Sequence, residues 1–279
     1  MTFDFRLGLT GHPLGHSLSP KIHAAALAAC GLTGDYSLFP IHPEDKPALA
    51  ALLNRLRAGE LHGLNVTIPH KQNVIPLLDG LTETAKAIGA VNTISLRNGQ
   101  LIGDNTDAPG FLSDLNNFLN GQKSKVESHK SAIVLGAGGS ARAVVYALAN
   151  DGWTVTLAAR RIEQAQQLAA SFPNYQLPIT SFSDLQPLTL DLLVNTTPLG
   201  MTPNIDTTPW ELPFPENAAV YDLVYNPRET RLVREARAAG PPATTGLGML
   251  IEQAALAFEI WTGKNPPREI LWQAVESGK

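Results

Sequence analysis

Three groups of residues in this 279-residue chain are of the right type and spacing to do chemistry. The first is Gly136-Ala137-Gly138-Gly139-Ser140-Ala141, placed between a short apolar run and a helix-like segment. Glycines in a strand–turn–helix context suit a dinucleotide. Gly136 permits the tight turn, Gly138 lets backbone approach a pyrophosphate, and small Ala141 allows close helix–strand packing. The helix start adds N–H donors and a partial positive charge. The second group is Arg160-Arg161, about 20 positions on, where an NAD site usually carries an acid for the ribose hydroxyls. Here no carboxylate stands, and paired guanidiniums suit the 2′-phosphate of NADP. A solvated pair at a strand end is the plainer alternative. The third group is a set of polar clusters in the N-terminal half: Ser17 and Ser19; Asn65, Thr67 and Lys71; Asn92 and Thr93; and Asp104 to Asp107. Hydroxyls, amides, an ammonium and a carboxylate suit a small polyhydroxylated acid. Several of these residues have structural readings too. Ser19 and Asp107 also suit helix N-caps, Lys71 on its own reads first as a surface helix lysine, and Asn195 to Thr197 also suits an ordinary turn ahead of Pro198.

These groups need a scaffold that brings strand ends together. The N-terminal third alternates strand-like and helix-like segments: strands at 6–11, 35–41 and 62–67, helices from Ser19-Pro20 and over 43–58, and a hairpin around Asn98-Gly99. A helix follows over 107–119, and the polar stretch 121–130 reads as an exposed connection. A second alternating run begins at Ser131, with strands near 132–135, 153–158, 190–195 and 219–224 and helices over 139–150, 162–171 and 228–239. The last two segments, 246–262 and 267–276, read as helices with no strand between them, so they pack back on the first domain. The expected fold is α/β with two domains. Residues 1–106 plus 247–279 form a substrate-binding, catalytic domain, and 107–246 a Rossmann-like domain binding NADP.

Composition narrows the class further. A net charge of −4 without a dense basic run argues against nucleic acid or an anionic membrane as partner. Cys30 is the one cysteine, which excludes an internal disulfide and a cysteine metal cluster. His12, His16 and His70 lack a helical ligand spacing, so no metal is expected. The N-terminus lacks the basic flank and long apolar core of a signal peptide, and the apolar stretch 246–261 is broken by Glu252, Gln253 and Glu259. A cytoplasmic location is the expectation. Monomer and homodimer both stay open.

The ordered motifs resemble the shikimate dehydrogenase family over nearly the whole chain. They are Gly11-His12-Pro13-Leu14-Gly15-His16-Ser17-Leu18-Ser19-Pro20, Asn65-Val66-Thr67-Ile68-Pro69-His70-Lys71, Gly89-Ala90-Val91-Asn92-Thr93 and Gly103-Asp104-Asn105-Thr106-Asp107. The glycine loop follows, then Asn195 to Met201, Asp222 to Pro227, and Gly246 to Leu250 with Gln253. The resemblance implies reduction of 3-dehydroshikimate by NADPH, with Lys71 and Asp107 as the catalytic pair. It implies that Ser17 and Ser19 bind the substrate carboxylate, that Thr67, Asn92, Asp107 and Gln253 hold ring hydroxyls, and that Tyr225 helps close the site. Gly136, Ala137, Gly138, Gly139 and Ser140 would hold the cofactor phosphates and Arg160 the 2′-phosphate, with Leu223 and Gly246 near the nicotinamide. The family commonly shows Asn-Arg-Thr where this chain has Ala159-Arg160-Arg161, so Arg161 would have to replace two contacts. The nearest rivals are a relative that uses quinate or NAD, another two-domain dehydrogenase such as a methylenetetrahydrofolate dehydrogenase, and a non-catalytic NADP-binding regulator.

Overall fold

A computed structural model describes residues 4–121, 130–185 and 189–276. The expected exposed connection at 122–129 lies outside the described residues. The chain divides into two compact units, Met1–Thr106 with Ile251–Lys279, and Asp107–Leu250. The second crossing thus comes four residues after Gly246, inside a helix rather than before it.

Among the described residues the first unit holds six strands: β1 (Phe5–Gly11), β2 (Gly34–Pro40), β3 (Gly63–Val66), β4 (Gly80–Leu81), β5 (Thr93–Arg97) and β6 (Gln100–Asp104). Their order in the sheet is β2-β1-β3-β5-β6-β4. β1, β2 and β3 run parallel, β5 is antiparallel to both β3 and β6, and β4 is parallel to β6. This pattern has a direct consequence. The C-terminal ends of β1, β2, β3, β6 and β4 and the N-terminal end of β5 all lie along one sheet edge.

Helix α1 (Ser19–Ala29) ends at Gly31 in the left-handed region, φ +66°, where glycine avoids the Cβ clash. α2 (Lys46–Arg57) begins three residues later than its apolar pattern suggested, because the Asp45 carboxylate accepts from the Ala48 N–H and caps it there. Its Leu49, Leu52, Leu53 and Leu56 pack with Leu64, Val66, Ile94 and Leu101 of the sheet. Each such leucine contributes roughly 1.5–3 kcal/mol. The β5–β6 turn has Asn98 at φ +51° and Gly99 at φ +78°, the two left-handed residues a tight hairpin needs. The short helix α3 (Glu83–Ile88), capped by Thr82, and the two-residue β4 had no counterpart in the sequence reading.

The second unit is a parallel sheet of β7 (Ser131–Leu135), β8 (Thr154–Ala159), β9 (Ile179–Ser181), β10 (Leu192–Asn195), β11 (Ala219–Asp222) and β12 (Ala243–Thr245). The order is β12-β11-β10-β7-β8-β9. This is the doubly wound Rossmann arrangement, whose ligand crevice opens where the order reverses. Here that point lies between the ends of β7 and β10. α4 (Asp107–Gly121), α5 (Gly139–Asn150), α6 (Ile162–Ala170) and α7 (Arg231–Ala239) complete the unit. Trp210, Leu232, Val233 and Ala236 pack on Ile133, Leu135, Leu193 and Val220.

The final helices are α8 (Leu247–Thr262) and α9 (Arg268–Glu276). The residues of α8 from Ile251 onward and the whole of α9 belong to the first unit, where α9 packs on α1 and the Trp261 indole N–H donates to Ile94 O at 3.0 Å. Among the described residues no helix is long and apolar enough to cross a membrane.

Candidate active site

In the first unit the polar clusters fall along the sheet edge just described. The loop bearing Ser17 follows β1, Thr67 and Lys71 follow β3, Asn92 precedes β5, Thr93 begins it, and Asp104 to Thr106 end and follow β6. The chain is tied there by backbone bonds. Thr67 N–H donates to Thr10 O at 2.9 Å, His12 N–H to Ile68 O at 2.9 Å, and Val91 N–H to Lys71 O at 2.8 Å. Gly11 makes this closeness possible, since a Cβ there would run into the Thr67 methyl and stand 2.9 Å from Ile68 O. His70 is buried and its Nε2 lies 2.8 Å from Ile41 O. A carbonyl only accepts, so Nε2 carries the proton and pins the residue before Lys71 to the end of β2.

Ser19 is not the N-cap of α1. Leu18 holds that position, and Ser19, already helical, gives its N–H to Ser17 Oγ at 3.3 Å. The hydroxyl that serves the helix start is therefore that of Ser17. Asp107 is the first residue of α4 and is buried; Lys71 is buried at 8% exposure. A buried lysine is uncommon on structural grounds alone, which weakens the reading of Lys71 as a surface residue.

The floor of the edge is a hydrogen-bonded amide network. Asn92 Oδ1 accepts from Thr106 N–H at 2.8 Å, and its Nδ2 donates to Thr106 Oγ1 at 2.9 Å and to Gln253 Oε1 at 3.2 Å. Asn65 Nδ2 donates to Asn92 O at 3.1 Å and Thr93 Oγ1 at 3.2 Å. The structure thus brings Asn92 and Gln253 together across 161 positions of sequence. Asn105 Nδ2 donates to Ala90 O at 2.9 Å and closes the turn behind. Tyr36, whose hydroxyl donates to Asn65 Oδ1 at 2.8 Å, was not singled out from the sequence and carries no motif that would have marked it.

In the second unit the glycine turn sits at the switch point. Gly136 has φ +112°, and a Cβ there would lie 2.7 Å from Thr196 Oγ1, so only glycine fits. Gly136 N–H donates to Ala158 O at 2.8 Å. Gly138 caps α5 in extended geometry, and a Cβ there would meet nothing within 4 Å. The space before this helix start is open, as a pyrophosphate on the backbone N–H groups requires. Ala141 is fully buried. Arg160 and Arg161 are exposed, just beyond the end of β8, the neighbour of β7. Leu223 and Gly246 are back to back, so close that a Cβ at Gly246 would strike the Leu223 backbone. Arg142, one turn into α5 and half-buried, donates to Ser171 Oγ at 3.0 Å; it too lay outside the residues chosen from sequence.

Beside this turn, Asn195 Oδ1 accepts from Thr197 N–H at 2.9 Å, closing a side-chain turn as its position before Pro198 suggested. Its Nδ2 donates to buried Asp222 Oδ1 at 2.8 Å, which also takes Val224 N–H at 3.0 Å, while Thr230 Oγ1 donates to Asp222 Oδ2 at 2.6 Å. Burial pushes the Asp222 carboxyl up to about 6, against these donors, which pull it down. Burial also pushes the Tyr225 phenol up, so it stays a neutral hydroxyl.

The comparisons with known proteins agree along the chain. The family model described as shikimate dehydrogenase substrate binding domain matches residues 9–94. Those described as shikimate / quinate 5-dehydrogenase and shikimate 5'-dehydrogenase C-terminal domain match 120–197 and 246–276. A shikimate dehydrogenase (NADP(+)) of Salinibacter ruber is 44% identical over 280 residues, covering 96% of each chain. The crystal structure of shikimate 5-dehydrogenase from Thermus thermophilus with NADP(H) and shikimate is similar at TM-score 0.85 and 39% identity, over 98% of this chain and 99% of that one. A quinate dehydrogenase from Corynebacterium glutamicum in complex with NAD is similar at TM-score 0.88 and 32% identity, over 98% and 99%.

Asp222 gives a pH expectation. Its folded value of about 6 lies above the unfolded one. The stabilisation it gives is fully present below about pH 3.9 and is lost as pH rises through the folded value, an effect on the order of 3 kcal/mol. The Asp222 carboxyl carbon resonance is expected to titrate near pH 6 in the folded protein; a midpoint in the ordinary carboxylate range would contradict it. By 39–44% identity over nearly the full length, the chain belongs to the shikimate dehydrogenase family.

Proposed function

We propose that this chain catalyses the NADPH-dependent, reversible reduction of 3-dehydroshikimate to shikimate, the step its relatives are named for. The observation that carries the reading is the clustering of Ser17, Thr67, Lys71, Asn92 and Thr106 along one edge of the first sheet, with Gln253 bonded to Asn92. Such an edge offers hydroxyl and amide partners to a ring carrying several hydroxyls, and an ammonium to an oxygen gaining charge. Ser17 and Ser19, at the start of α1, are assigned to the substrate carboxylate, where N–H groups and the helix dipole favour an anion. Thr67, Asn92, Asp107 and Gln253 are assigned to ring hydroxyls, and Tyr225, a half-buried neutral hydroxyl, to closing the site.

NADPH, when bound, supplies the hydride. The protein's task is to manage one proton and the charge on the carbonyl oxygen. Lys71, as an ammonium, stabilises that charge and delivers the proton as general acid. Asp107 is assigned to orienting the ammonium and the substrate hydroxyl. Gly136, Ala137, Gly138, Gly139 and Ser140 are assigned to the cofactor phosphates, a fit supported by the open space at Gly138. Leu223 and Gly246 are assigned to the nicotinamide side. Arg160, with Arg161 beside it, is assigned to the 2′-phosphate, and the absence of an acid at the end of β8 supports NADP over NAD. A cytoplasmic location belongs to the same reading.

Lys71→Ala is expected to lower turnover by roughly 10²–10⁴-fold, the range for a general acid–base group. Initial rates of shikimate oxidation check this, and turnover within a few-fold of wild type would remove Lys71 from the chemistry. Arg160→Ala is expected to raise KM for NADP+ while leaving KM for NAD+ nearly unchanged. Equal changes for both cofactors would separate Arg160 from the 2′-phosphate.

A further inference from the structure

The amide network in the first unit has a fixed direction. Asn92 O is a carbonyl and only accepts, so the end of the Asn65 amide that faces it is Nδ2. Asn65 Oδ1 then faces Tyr36, and the phenol is the donor. Thr106 N–H only donates, so the end of Asn92 that faces it is Oδ1, and Nδ2 faces Gln253 Oε1. The Thr93 hydroxyl joins the two amides, accepting from Asn65 and donating to Asn92 Oδ1 at 3.0 Å. Donation therefore runs Tyr36 → Asn65 → Thr93 → Asn92 → Gln253. The source is the one phenol in the series.

Tyr36 is held for this task. It lies on β2 and Asn65 on β3, on either side of β1, so the hydroxyl crosses the intervening strand. Its ring stacks on the His23 imidazole of α1, centroids 4.2 Å apart and planes 3° from parallel, and Trp261 of α8 flanks His23 at 5.5 Å. His23 is completely buried, and among the described residues its ring nitrogens make no well-formed hydrogen bond, the Asn65 side chain being the polar neighbour. Burial lowers it to about 3, against a smaller upward push from the Asn65 side chain. It therefore serves the phenol as a neutral aromatic plate.

We propose that Tyr36, clamped by His23, is a positioning residue for the substrate side: by satisfying Asn65 Oδ1 it holds the Asn65 amide in the place and orientation that Asn92 O demands, and so steadies the network from which Asn92 and Gln253 meet a polyhydroxylated ligand. The proposal rests on the substrate reading above for its kinetic consequence, and on geometry alone for its structural one.

The test is Tyr36→Phe, which keeps the stack and removes one hydroxyl. Loss of one hydrogen bond corresponds to about fivefold in an equilibrium constant. The expected result is a KM for shikimate raised by about that factor, with KM for NADP+ unchanged. In the same variant the side-chain amide resonances of Asn65, Asn92 and Gln253 are expected to move together. In an Asn65→Ala background the Tyr36→Phe effect on KM is expected to vanish, as for residues acting in series. Equal changes in both KM values with a lowered melting temperature would make Tyr36 merely structural and overturn the proposal. So would unmoved Asn92 and Gln253 resonances. If the wild-type protein does not oxidise shikimate, the substrate reading fails, and the resonances alone decide for or against Tyr36.

Discussion

A buried side-chain amide must have both its ends satisfied, and that requirement on Asn92 governs the first unit. Its oxygen takes a backbone N–H from Thr106, and its nitrogen reaches Gln253 on α8. One residue thereby ties the start of β5, the chain leaving β6 and the returning C-terminal helix. An unsatisfied amide there would cost about 1–3 kcal/mol. The mixed strand directions of the sheet make these contacts available. With β5 antiparallel to both neighbours, its start faces the ends of β3 and β6, where Asn65 and Thr106 wait.

The second unit solves a different problem, an approach of backbone to phosphate. Gly136 turns where no Cβ fits, and Gly138 leaves open the space its side chain would fill. This framework is shared by relatives that differ in ligand: the Thermus thermophilus enzyme holds NADP(H) and shikimate, the Corynebacterium glutamicum one is a quinate dehydrogenase with NAD. Fold alone does not choose between them. In the proposed function the choice of cofactor falls to Ala159-Arg160-Arg161, and the choice of substrate to the polar edge of the first sheet.

What was legible in the sequence was mostly local. The glycine turn, helix 139–150 and the Asn98-Gly99 hairpin declare themselves through backbone conformations that few residues tolerate, and the structure has them where the sequence put them. The doubly wound sheet follows from alternation. Short elements were missed: β4, β9 and β12 have two or three residues each, too few for any period to show, and their existence depends on a neighbouring strand. Helix starts shifted where a side chain decided them, as Asp45 does for α2. Lys71 drew attention by motif, but Tyr36 and His23 did not, because their part in the site is visible only once β1, β2, β3 and α1 are packed together.

The most direct measurement is the initial rate of reduced nicotinamide formation with purified protein, taken for shikimate and quinate against NADP+ and NAD+ in all four pairings. The account predicts that shikimate with NADP+ has by far the highest kcat/KM. A preference for NAD+ would contradict the reading of Arg160, a preference for quinate would contradict that of the polar edge, and no turnover in any pairing would contradict the proposed function.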